Sequence, residues 1–142
     1  MIKIHTNIII GNLIDLQNLI NNTTFIINCS SNYQKLFEHP HFLNLNLHNP
    51  LYDTYSILEQ VYFFISSKIV FNQNIFILCD SGISDSLTVG IFFLMKFYNM
   101  NYKTVYNNLS LHYKINSYNY YSKLVNFEKH IKLYKNDDMD LS

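Results

Sequence analysis

Cys79 is the residue in this chain whose type and setting point most directly to chemistry. It follows an apolar run, Ile75 to Leu78, that reads as a buried strand. A short polar loop, Asp80, Ser81, Gly82, Ile83 and Ser84, then leads to a helix expected to begin near Asp85 or Ser86. A loop that ends at a helix N-terminus turns its unpaired backbone N–H groups inward and can wrap a phosphate dianion. The same field lowers a thiol pKa and makes the sulfur a nucleophile. Gly82 permits a tight backbone, and Ser84 and Ser86 suit a helix start. Asp80 and Asp85 oppose this chemistry, because like charge raises the pKa of a neighbouring acid. All ten basic residues are lysines, so the chain contains no arginine to offset them. Lys96 lies about three helical turns past Asp85, out of reach of the loop. The plain structural alternative is a buried cysteine at a strand end, followed by a capped polar turn.

The elements that must position this loop can be read in order. Ile2 to Ile4 and Ile8 to Ile10 predict two short strands around a turn at Thr6-Asn7, and Gly11-Asn12 breaks the second. Asp15 is expected to cap a helix running to Ile20. Thr24 to Asn28 reads as a buried strand, and Tyr33 to Phe37 as a helical turn within a polar loop. Phe42 to Leu47 alternates apolar and polar and predicts a strand with one wet face. A helix is expected from about Thr54 to Ile69, capped by Asp53. Its apolar stripe is Ile57, Leu58, Val61, Phe64, Ile65 and Ile69. After the loop comes a nearly all-apolar helix to Tyr98, buried on most sides. Asn101 then caps a helix to about His112. A last helix starts at Ser117 to Asn119, with Tyr120, Leu124, Phe127 and Ile131 on one face. Strands alternating with helices, then helices alone, predict an α/β domain with a short central sheet over residues 1–134. A polar tail, residues 135–142, is expected to be frayed.

Composition narrows the function classes. At 142 residues the chain can bury a substantial core, and 49% hydrophobic against 14% charged residues predicts a folded domain. Zero net charge leaves no nucleic-acid footprint. No apolar run reaches membrane-spanning length and no signal peptide precedes the first strand, so a cytoplasmic protein is expected. The richness in Asn, Ile, Lys and Tyr reads as codon bias of an AT-rich genome, which discounts single Asn and Tyr residues as functional signals. Cys29 and Cys79 sit in different contexts and suggest no disulfide framework. No metal site or cofactor is expected.

The loop resembles the signature of cysteine-dependent phosphatases, Cys-x5-Arg-Ser/Thr with Gly three residues after the Cys. Cys79, Gly82, Ser84 and Ser86 match it. The likeness extends over roughly residues 4–131 to the dual-specificity phosphatases, in the compact form typified by the poxvirus H1-like enzymes. IIIGNLIDLQNLINNTTFIIN is similar to that family's first strand–helix–strand unit. TVGIFFLMKFYNMNYKTVYNNL is similar to the helix after the signature loop and the start of the next. Tyr118 to Glu128 resembles the closing Asn-x-x-Phe-x-x-Gln-Leu-x-x-Phe-Glu. The resemblance implies a cysteine-phosphatase fold with Cys79 at the nucleophile position. It also implies three departures. Asp85 replaces the arginine that closes the phosphate ring with two parallel hydrogen bonds. Leu78 replaces the His that tunes the thiol. The general-acid position falls on His48 or Asn49, with Asp53 the nearest carboxylate.

Three catalytic positions have drifted where fold-bearing ones remain, which predicts a pseudophosphatase that acts by binding a protein. Three alternatives stay open. One is a module that shields phosphosites on a phosphoprotein without hydrolysing them. Another is a virion structural or assembly protein, in which Asp85 meets a partner's cation. The third is a weak phosphatase using Cys79 with His48 or Asp53. The expected partner is a protein, with no nucleic acid and no membrane. A monomer or weak dimer is expected, because the chain starts at a strand and lacks the preceding helix that pairs some viral relatives.

Overall fold

The structure is a computed structural model that describes residues 1–19, 24–29, 42–45, 53–78, 84–113 and 124–131. It contains two compact units, Met1–Gly90 and Ile91–Ser142.

The first unit is built on a five-stranded mixed sheet. Its strands are β1 (Ile2–His5), β2 (Ile8–Gly11), β3 (Phe25–Asn28), β4 (Phe42–Asn44) and β5 (Ile75–Leu78), in the order β1-β2-β5-β3-β4. β1 and β2 form an antiparallel hairpin, and every other pairing is parallel. β5 is central and buried at all four positions, the pattern of a parallel strand covered on both faces. The pleat sorts the side chains. Ile9, Ile26, Phe76 and Leu78 face α1 (Leu13–Leu19), where Leu16 completes a core cluster with Leu13 and Phe42. Phe25, on the opposite face, meets Phe64 of α2 (Thr54–Ile69) edge to face at 5.9 Å, and Lys68 Nζ lies 4.6 Å from its ring centre. On that same face Ile10 packs against Gly90 of α3 (Ser84–Phe97).

Helix ends follow their capping residues, with one correction. Asn12, not Asp15, caps α1. Asp15 N–H donates to Asn12 Oδ1 at 3.0 Å, and Asn12 N–H donates back to Asp15 Oδ2 at 3.1 Å. This reciprocal pair is a capping box in which Asp15 is the third helical residue. α2 begins and ends where its apolar period predicts. Asp53 stands at its N-cap but makes no capping bond from its side chain; its Oδ2 accepts from Ser56 Oγ at 3.2 Å. Tyr55 joins Leu58, Val61 and Ile65 as the buried stripe, while Ile57, Phe64 and Ile69 are half-buried. α3 starts at Ser84, slightly earlier than expected, and runs almost wholly buried from Ser86 to Met95.

In the second unit, Asn101 Oδ1 accepts from Thr104 N–H at 2.8 Å and caps α4 (Tyr102–Ser110) as predicted. Residues 124–131 are helical, with Leu124, Phe127 and Ile131 buried. Phe92 and Phe127 meet edge to face at 5.8 Å, and Glu128 accepts the Tyr102 N–H at 2.8 Å. The expected Phe42–Leu47 strand ends earlier, at Asn44, with Leu45 outside it; Asn46, Leu47, the expected turn at Tyr33–Phe37, the start of the last helix and the tail 135–142 lie outside the described residues.

Candidate functional site at the strand ends

Three parallel strands finish in one row. Gly11 and Asn28 both pair with Leu78, so β2, β5 and β3 end level with each other. In open α/β sheets, ligands bind beyond the carboxyl ends of such strands. The row is tightly fastened. Cys29 N–H donates to Leu78 O at 2.6 Å, and Leu45 N–H donates to Asn28 O at 2.8 Å. The Asn28 side chain is fully buried and donates to Asn44 Oδ1 at 2.9 Å. Gly11 has no room for a side chain, since a Cβ there would stand 2.7 Å from Asp15 Oδ2 and 3.0 Å from Phe76 Cζ.

α3 is the next described element after β5 and begins at Ser84. Asp85 lies in its first turn and is half-buried. A carboxylate there stabilises the helix by interacting with the positive end of its dipole, typically by ~0.3–1 kcal/mol. Ser86 and Thr88 are fully buried. Among the described residues Ser86 Oγ has no hydrogen-bond partner. Leu78, the last residue of β5, is a fully buried core residue. Among the described residues no cluster of His, Cys, Asp and Glu could hold a metal ion.

Of the residues singled out from sequence, Leu78, Asp85 and Ser86 therefore lie at the strand ends or the start of α3. Ser84 is the first residue of α3. Cys79, Asp80, Ser81, Gly82, Ile83, His48 and Asn49 lie outside the described residues. Asp53 is exposed at the start of α2. Sequence reasoning missed Asn28, Asn44 and Cys29. A signal for Cys29 was present, because both cysteines directly follow a four-residue apolar strand, FIIN and IFIL. The Cys29 N–H is held by the carbonyl of Leu78, the last residue of β5.

The dual specificity phosphatase catalytic domain family matches residues 11–134. The chain belongs to that family. Among curated proteins none matches the chain. Solved dual specificity phosphatase-like structures share its fold at low identity. The leucine rich repeat and phosphatase domain containing protein from Entamoeba histolytica is 17% identical with a TM-score of 0.73, over 94% of this chain and 93% of that one. Human DUSP28 is 14% identical with a TM-score of 0.70, over 92% and 94%. The human tyrosine phosphatase-like serine/threonine/tyrosine-interacting protein is 18% identical with a TM-score of 0.59, over 96% of each chain. No described helix is long and apolar enough to cross a membrane.

Proposed function

We propose that this dual specificity phosphatase domain is a pseudophosphatase of the compact H1-like type, acting by binding another protein. The observation that carries the reading is Asp85 in the first turn of α3, in a chain without arginine. A helix N-terminus that would otherwise offer its positive end to a phosphate already has a carboxylate beside it. Losing one partner of a hydrogen-bonded charge pair weakens binding by roughly 2–5 kcal/mol, and reversing the charge adds repulsion. Leu78 supplies no imidazole to lower the Cys79 pKa. One fold neighbour is named as phosphatase-like and as an interacting protein, so a binding role is compatible with this fold. A partner presenting lysine or arginine suits the carboxylate.

A second reading keeps phosphate capture without hydrolysis, so that the domain shields phosphosites on a phosphoprotein. Ser86 Oγ favours it: a fully buried hydroxyl without a partner, in the first turns of α3, is a donor left over for a bound group.

The test is turnover of an aryl phosphate and of phosphotyrosine and phosphothreonine peptides by the wild-type chain and by Cys79→Ser. No Cys79-dependent turnover is expected. Turnover that disappears in Cys79→Ser overturns the reading. A tungstate titration followed by backbone NMR separates the two readings: shifts confined to residues 80–86 favour phosphate capture, and none at millimolar ligand favours a protein partner.

A further inference from the structure

We propose that the outward face of α2 is a homodimer surface, on which the α2 of a second copy of this chain docks antiparallel about a two-fold axis. The inference is independent of the strand-end site and of whether the domain hydrolyses phosphate. It starts from the residues that α2 turns to solvent. Leu58, Val61 and Ile65 are buried in the core. Ser56, Gln60, Phe63, Ser67 and Val70 form the opposite stripe, and all five are exposed. None of them is charged. Phe63 is 64% exposed, Val70 73% and Phe71, just past the helix end, 76%. The outer face of a surface helix ordinarily carries charged and polar residues. Composition alone does not explain the exception, because the outer side of α4 presents Lys103, Thr104, Asn107 and Asn108.

The spacing along the stripe is that of a helix packed on another helix. Positions 56, 60, 63, 67 and 70 step by four, three, four and three, the alternation of a two-helix seam. Large and small side chains alternate from Phe63 to Ser67 to Val70. A parallel pair would set Phe63 on Phe63 and Ser67 on Ser67, and would align the two helix dipoles side by side. An antiparallel pair, with its two-fold axis midway between Phe63 and Ser67, seats each Phe63 ring over the partner's Ser67. Gln60 then meets Val70. Each contact occurs twice, as an isologous interface requires. Ser67 loses no hydrogen bond under the ring, because its Oγ already donates to Phe64 O at 2.8 Å. Ser66 Oγ likewise donates to Tyr62 O at 2.8 Å. The two exposed Phe, Val70 and the polar residues between them bury on the order of 1,000 Å² over both copies, the lower end for a specific interface. That area fits a reversible dimer with a dissociation constant of about 10 μM to 1 mM.

Sedimentation equilibrium of the full-length protein across that concentration range is the test. Wild type is expected to pass from monomer to dimer. Phe63→Lys and Ser67→Glu are each expected to weaken the dimer by about tenfold or more, since each puts an unpaired charge into the seam. Both positions are exposed, so circular dichroism of both variants is expected to match wild type. An equimolar mixture of the two variants is expected to dimerise again. The antiparallel pair brings the introduced lysine to the introduced glutamate and keeps one Phe63–Ser67 contact. Wild type that stays monomeric throughout the range overturns the proposal. A dimer that Phe63→Lys leaves intact overturns it too, because the contact then lies on another face. A mixture no more dimeric than either variant alone overturns the antiparallel pairing.

Discussion

A methyl group added at Gly90 would stand 2.7 Å from Ile10 Cδ1 and 3.0 Å from Ile4 Cδ1. α3 therefore lies close on β1 and β2 at this point, and the missing side chain sets how near the helix backbone comes to the sheet. Overpacking typically costs about 1–3 kcal/mol, and replacing a mid-helix Gly by Ala returns up to ~1 kcal/mol. Gly90→Ala is expected to lose about 1 kcal/mol net and Gly90→Val about 2–3 kcal/mol. Urea unfolding checks both, and Ile10→Val should recover part of the Gly90→Ala loss.

The capping box at α1 predicts a pair of coupled losses. Asn12→Ala removes the acceptor for Asp15 N–H and should destabilise the fold by about 1 kcal/mol. Asp15→Ala removes the return bond to Asn12 N–H. The double variant should lose less than the sum, because the two bonds fix the same turn. Denaturant midpoints of the three variants measure the coupling.

Asp85 sets the charge at the start of α3, and reversing it should reverse ligand preference. Asp85→Arg is expected to bind tungstate at least tenfold more tightly than wild type, since one such charge contact contributes roughly 2–5 kcal/mol. Isothermal titration calorimetry gives the ratio. On the proposed reading no turnover is expected in this variant either, because Leu78 still precedes Cys79 and supplies no imidazole.

Ser86 gives a prediction of opposite sign to most core substitutions. Its hydroxyl is fully buried without a partner, and an unsatisfied buried group costs about 1–3 kcal/mol. Ser86→Ala should therefore raise the melting temperature. The gain should shrink if saturating tungstate is present and bound, because the hydroxyl then has a partner to lose.

His5 gives the pH dependence. Burial holds its pKa below the ordinary value of 6.5, and its Nδ1 accepts the Asn7 N–H at 3.0 Å, a bond that requires an unprotonated nitrogen. The unfolded chain thus binds more protons at this site than the folded one, so stability rises with pH through the window below 6.5. The contribution is complete above that value and is lost as pH falls beneath it. His5→Asn keeps an acceptor without a titration and should flatten this part of the stability profile. Thermal melts of both proteins between about pH 8 and pH 5 test it.

The fold was legible because its signals are local. The apolar runs at Ile75 to Leu78 and Phe25 to Asn28 could only be buried strands, and the stripe through Leu58, Val61 and Ile65 could only face a core. Asn101 capped α4 as its side chain dictates. Asp15 was misplaced as a cap because Asn12 and Asp15 both cap well, and only the chain direction at Gly11 decides between them. The strand ends were legible as elements and not in their pairings. Strand order brings Asn28 to Asn44 and Cys29 to Leu78, and no single-strand pattern encodes which strands become neighbours. Tyr55 escaped the stripe because its hydroxyl makes it read as a surface residue.

The place of β5 between β2 and β3 governs how the sheet can be assembled. Until Ile75 to Leu78 are synthesised, the hairpin of β1 and β2 and the pair of β3 and β4 share no hydrogen bonds, because each reaches the other only through β5. Each half then presents an unpaired parallel edge of Ile and Phe, the kind of edge that invites pairing with other chains. Sheet closure must await a long-range insertion, which slows folding. A chain ending before β5 should therefore aggregate rather than fold in part, and the hydrophobic strand that leads into the cysteine loop is also the wedge on which the whole sheet depends.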